Sequence, residues 1–103
     1  MNDHVIAEIA ICPLGTESPE VSSYIRKCVD IVKKAAESKK GIKYELNSMG
    51  TTIEGPLPLI FEIIIEMNEA TFALGAKRVY TVIKIDDRRD KEASIDSKNK
   101  AVR

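Results

Sequence analysis

Two stretches of apolar alternation stand at opposite ends of this 103-residue sequence, residues 5–11 and 78–86, and neither can be stable until it pairs within a sheet. In the first, Val5, Ala7, Ile9 and Ile11 point one way, and His4, Ile6, Glu8, Ala10 and Cys12 the other. In the last, Val79, Thr81, Ile83 and Ile85 oppose Tyr80, Val82, Lys84 and Asp86. Strands with such unequal faces bury one side against a core and turn the other outward.

Between them the apolar spacing changes. Val21, Tyr24, Ile25, Cys28, Val29, Ile31, Val32, Ala35 and Ala36 recur at three and four residues, which predicts a helix with one buried stripe. Ser18-Pro19 supplies an N-cap and a first helical residue, and Lys39, Lys40 and Gly41 a C-terminus. Residues 42–47 and 51–54 alternate around Ser48-Met49-Gly50, which predicts a hairpin. After Gly55-Pro56-Leu57-Pro58, a second helix is expected over 59–74, stopped by Gly75. Glu62, Glu66 and Glu69 form its one polar line. Apolar residues fill so much of the remaining circumference that a second subunit is expected to cover part of it. A short terminal helix over 93–102 carries Lys98 and Lys100.

The resulting order predicts an α+β protein, a ferredoxin-like βαββαβ sandwich in one domain spanning 1–103. Right-handed crossovers place both longer helices on one face of a four-stranded antiparallel sheet. The other face stays open, with Glu8, Ala10, Tyr80, Val82 and Lys84 on it. Such a half-polar surface suits the floor of a ligand pocket or an interface between copies of the chain.

Charge narrows the partners. Sixteen Lys and Arg balance sixteen Asp and Glu, so no basic surplus exists for a nucleic-acid partner held by phosphate neutralisation. No apolar run reaches the length of a bilayer span, and the N-terminus lacks a basic segment before its apolar run. A cytoplasmic protein without a membrane partner is expected. Cys12 and Cys28 read as buried thiols among apolar neighbours. His4 is the sole histidine, so the usual base of a nucleophilic triad is missing, and no spacing suggests a metal site or a cofactor.

Three segments could carry chemistry. Gly15 and Thr16 precede a helix and can cradle a polar ligand edge or form an ordinary turn. Ser48, Met49, Gly50 and Thr51 gather hydroxyls and an adaptable thioether at one end of the sheet, as a pocket rim or a plain turn. Asp86-Asp87-Arg88-Arg89-Asp90-Lys91 can clamp an anion through Arg88 and Arg89, or form salt bridges on the surface or between subunits.

Pro13-Leu14-Gly15-Thr16, Met49-Gly50-Thr51 with Ile53-Glu54-Gly55, Gly75-Ala76 with Arg78-Val79, and Lys84-Ile85-Asp86-Asp87-Arg88-Arg89-Asp90-Lys91 resemble the small single-domain thiamine-binding protein family related to YkoF. The resemblance runs over nearly the whole chain, and the last block is its most specific part. It implies a ferredoxin-like protomer, a homo-oligomer assembled as dimers and commonly as a tetramer, a dimer of dimers, and a non-catalytic role in binding thiamine or its hydroxymethylpyrimidine part.

A pyrimidine with an exocyclic amine needs a flat slot edged by carboxylates or hydroxyls. By strand-end position and by the family motifs, Glu8, Thr16, Asn47, Ser48, Met49, Thr51 and Tyr80 are the side chains expected near it. An effector-sensing or structural homo-oligomer that binds another metabolite or an anion is the alternative. A cofactor-free enzyme of the dimeric α+β barrel kind would need its acid or base from Glu8, Asp86 or Asp87.

Overall fold

The computed structural model describes residues 4–15, 21–38, 41–90 and 94–102. Its elements run β1 (Val5–Leu14), α1 (Ser22–Ser38), β2 (Lys43–Asn47), β3 (Gly50–Gly55), α2 (Leu57–Ala73), β4 (Arg78–Asp86) and α3 (Ile95–Val102). The four strands form one antiparallel sheet in the order β2-β3-β1-β4. This is the expected ferredoxin-like α+β arrangement.

Strand alternation decides what lies beneath the helices. Val5, Ala7 and Ile9 of β1 and Ile53 of β3 are at most 1% exposed. They pack with Cys28, Val32 and Ala35 of α1 and with Ile60, Ile63, Ile64 and Met67 of α2. Registers Ala7↔Ile53 and Ile53↔Tyr44 carry this apolar layer across the sheet. Burying the Val, Ile and Met side chains among them contributes about 1.5–3 kcal/mol each.

Helix α2 ends where the sequence says it should. Gly75 adopts φ 110, its N–H donates to the Phe72 carbonyl, and the Ala76 N–H donates to the Thr71 carbonyl. Those bonds satisfy end carbonyls that would otherwise lack partners, and they require the positive φ that glycine allows.

Several expectations change. β1 continues past residue 11 to Leu14, because beyond Ile9↔Thr51 it pairs with β4 alone, and Pro13 is tolerated where one side of a strand carries no ladder. Cys12 is exposed rather than buried: it faces outward, opposite Tyr80. Ile25 is 53% exposed, so the buried stripe of α1 is narrower than its spacing suggests. The expected cap at Ser18-Pro19 and closing residues Lys39 and Lys40 lie outside the described residues.

The apolar excess on α2 remains uncovered. Phe61, Ile65 and Phe72 are 41–61% exposed and lie on one stripe, with Asn68 between them, by helical spacing. The Thr81 hydroxyl donates to Asn68 Oδ1 at 3.4 Å, so this flank of α2 adjoins β4. Strand β4 is an edge strand, and its helix-side Ile83 and Ile85 are exposed as well.

Candidate functional site

The open face of the sheet can be read row by row from the strand registers. One row joins Lys43, Glu54, Ile6 and Asp86, and the next joins Glu45, Thr52, Glu8 and Lys84. Beyond them lie Asn47 opposite Gly50, Ala10 opposite Val82, and Cys12 opposite Tyr80. Ile6 is only 7% exposed although α1 and α2 occupy the other side. The cover is α3, which crosses the first two rows.

Three polar contacts hold α3 there. The Ile95 N–H donates to Glu54 Oε1 at 2.8 Å, Asn99 Nδ2 donates to Glu45 Oε2 at 3.1 Å, and the Lys98 ammonium pairs with Asp86. Ser94 and Ser97 cap the helix start reciprocally, each hydroxyl oxygen accepting the other's backbone N–H at 2.9 Å.

Between this helix and the sheet lies a cavity of about 480 Å³, within the range of small-molecule sites. Glu8, Thr52, Glu45 and Asn47 line it from the sheet, Lys84 and Asp86 from β4, and Ile95, Lys98 and Asn99 from α3. Lys84 Nζ stands 3.5 Å from Glu8 Oε1, and Asn47 Nδ2 donates to Thr52 Oγ1 at 2.7 Å. Neighbouring strands are about 4.8 Å apart, so the Glu8 and Glu45 backbones lie roughly 10 Å apart with Thr52 between them. The row alternates acceptor, hydroxyl and acceptor. Gly50 stands outside the lining but close to it, since a Cβ there would stand 2.9 Å from the Ile9 carbonyl oxygen and 3.6 Å from Glu8 Cγ.

Of the side chains expected at the slot, Glu8 and Asn47 meet in this cavity. Thr51 does not: it is 8% exposed, opposite Ile9 on the helix side, and strand alternation puts Thr52 in the cavity instead. Ser48 and Met49 form the β2–β3 turn outside the lining, with Met49 85% exposed. Tyr80 sits on the open face two rows beyond Lys84 and is exposed. Thr16 lies outside the described residues.

The basic pair is engaged locally. Arg88 binds Asp90 through two bonds of 2.6 and 3.0 Å, and Arg89 binds Asp87 through two of 3.2 and 2.8 Å. Those carboxylates raise both guanidinium pKa values above their ordinary range. Neither arginine reaches the cavity. Glu45, Glu54, Thr52 and the α3 residues are site-forming groups that the sequence reading missed. Counting alternate positions from the core residue Ile53 would have found Thr52 and Glu54.

Among the described residues, no group of three or more His, Cys, Asp and Glu is arranged to hold a metal ion, and no helix is long and apolar enough to cross a membrane.

Residues 7–103 match the family model described as thiamine-binding protein. The UPF0045 protein YqgV of Bacillus subtilis is 43% identical over 97 residues, covering 94% of this chain and 92% of that protein. A UPF0045 protein of Methanothermobacter thermautotrophicus is 37% identical over 100 residues, covering 96% of each. Among solved structures, the hypothetical protein MJ1052 of Methanocaldococcus jannaschii superposes with a TM-score of 0.85 at 37% identity, over 98% of this chain and 97% of that one. A Thermotoga maritima protein proposed to act in thiamine biosynthesis or salvage, TM0486, shares the fold at a TM-score of 0.77 and 23% identity, over 97% and 99% of the two chains.

Proposed function

This chain belongs to the thiamine-binding protein family, and from that premise we propose that it is a non-catalytic binding protein for thiamine or its hydroxymethylpyrimidine part, held in the cavity between the open sheet face and α3. The row Glu8, Thr52, Glu45 carries the reading. An aminopyrimidine edge presents an exocyclic N–H₂ donor beside a ring-nitrogen acceptor. Glu8 or Glu45 can accept from the amine. Thr52 already accepts from Asn47, so its own O–H is available to the ring nitrogen. Ile6 and Ile95 supply apolar surface for the ring.

The carboxylates also suit a cation, since thiamine carries a positive thiazolium. Glu8, Glu45 and Asp86 outnumber Lys84 and Lys98 around the cavity, so local charge favours a positive guest. Isothermal titration with thiamine and, separately, with hydroxymethylpyrimidine tests this. Saturable heat with one site per chain is expected, and it should be weakened by Glu8→Gln and Glu45→Gln together. Absence of heat up to millimolar ligand would overturn the reading.

The same proposal includes a homo-oligomer, with a tetramer of two dimers as its expected form. Exposed Phe61, Ile65 and Phe72 beside the unpaired edge of β4 support it, because apolar surface next to free strand hydrogen bonds is the kind of face a second copy covers.

A further inference from the structure

Glu54 is the one charged side chain among the described residues that is buried outright, at 2% exposure. Its place in β3 puts it on the open face, opposite Ile6 and Lys43, where a carboxylate needs compensation if water is excluded. Oε1 receives it from the Ile95 N–H at 2.8 Å and from His4 Nε2 at 3.4 Å.

The helix it touches has little else to hold it. α3 has eight residues, and none of them is buried. A helix this short is marginal by itself, so its position depends on tertiary anchors. Of those anchors, the Asp86–Lys98 pair is about half exposed on both sides and therefore weak, and the Glu45–Asn99 bond is only partly buried. The Glu54–Ile95 bond is partly buried as well, but its acceptor belongs to a side chain only 2% exposed, and its donor is a backbone N–H in the first helical turn, the end of a helix that favours a carboxylate.

We propose that Glu54 is a positioning residue for the cavity: its buried carboxylate fixes the first turn of α3 and thereby sets the wall of Ile95, Lys98 and Asn99 under which a ligand fits. The inference rests on the reading of that cavity as the ligand site, and docking and binding are then coupled, since a guest that touches both sheet and α3 favours the docked helix.

The test is amide hydrogen exchange on the whole protein, followed by thiamine titration of the same variants. Glu54→Ala should speed exchange at Lys98–Val102 by about tenfold or more while Ala7, Ile9 and Ile53 stay protected, as expected for loss of a bond to a charged group. Glu54→Gln keeps an oxygen for the Ile95 N–H and should return α3 to within about threefold of the parent. Thiamine affinity should fall about tenfold in Glu54→Ala and recover in Glu54→Gln.

Unchanged α3 exchange in Glu54→Ala would overturn the proposal, as would Glu54→Gln being as loosened as Glu54→Ala. If Glu54→Ala loses sheet protection too, Glu54→Asp decides: it keeps the charge but withdraws the acceptor by one methylene. Faster α3 exchange over an intact sheet supports the anchor, and unaltered exchange removes it. A parent protein that gives no thiamine heat defeats the ligand reading, while the exchange data still judge the anchor.

Discussion

Glu8 and Lys84 face each other directly across β1 and β4, and their side chains meet at 3.5 Å on the floor of the cavity. Lys84 is 75% exposed at its side chain, so this pair adds little to stability, at most about 1 kcal/mol. Its larger consequence is that Lys84 competes with any cation for Glu8. Replacing Lys84 with Met should leave the thermal midpoint nearly unchanged and tighten thiamine binding several-fold, whereas Glu8→Gln should weaken it about tenfold. Titration calorimetry at fixed ionic strength separates the two. Weaker binding in Lys84→Met would assign the lysine to the ligand instead.

Gly50 tests the close approach of β3 to β1 beside Glu8. Alanine there would drive a methyl to 2.9 Å from the Ile9 carbonyl oxygen, closer than two unbonded atoms tolerate, and backbone cannot swing aside as a long side chain can. β3 must then retreat from β1 beside Glu8. The expected results are a destabilisation of about 1–3 kcal/mol in urea unfolding and loss of ligand affinity greater than that of an alanine exchange at the exposed turn residue Ser48.

Cys12 and Cys28 should differ sharply in reactivity. Cys12 is exposed on the sheet face, and Cys28 is buried under α2, where its Sγ lies 3.7 Å from Thr71 Oγ1 and the Thr71 hydroxyl donates to the Met67 carbonyl at 2.8 Å. Burial pushes the Cys28 thiol above its ordinary value of 9.0, against a smaller opposing effect of the Thr71 hydrogen bond. An alkylating reagent at neutral pH should label Cys12 alone in the native protein, with Cys28 reacting at the rate of global unfolding. The sign for stability follows. A folded-state pKa above the unfolded one means that the unfolded chain releases the proton first, so this contribution is complete below pH 9 and declines as pH rises through the folded value. Cys28→Ala should flatten that alkaline decline in a pH series of urea midpoints.

Ile53 sits between Ala7 and Tyr44 in the apolar layer with no exposure. Ile53→Ala should cost about 2–5 kcal/mol, and Ile53→Val about 0.5–1.5. Because α3 and the cavity lie on the opposite side of the sheet, Ile53→Val should leave ligand affinity within about twofold. Equilibrium denaturation and titration of one preparation check both.

Alternation made the strands legible, and β4 has the predicted bounds, because a period of two survives wherever one face is buried. Glu8 was legible for the same reason. Motif proximity puts Thr51 at the slot and alternation does not: Ile53 is core, so Thr51 shares its side and Thr52 does not. The α3 wall had no local signal at all. Its contacts join Glu54 to Ile95 and Glu45 to Asn99 across 41 and 54 residues, and nothing in the composition of a short polar helix says where it docks.

The apolar flank of α2 supplies a prediction about assembly. Phe61, Ile65 and Phe72 are exposed beside Ile83 and Ile85 of β4, an edge strand that pairs only with β1 among the described residues. Leaving both unsatisfied invites association with another copy, and a charge in the middle of the patch should oppose it. Ile65 is the probe, since at 61% exposure it contributes little to the interior of one chain. Ile65→Lys should keep the far-ultraviolet spectrum and lower the mass seen in native mass spectrometry at micromolar protein. Ile25→Lys on α1 is the control: Ile25 is 53% exposed but lies on the other long helix, so its variant should retain the parent's mass. If Ile65→Lys and the parent share one mass, the second copy does not use this flank.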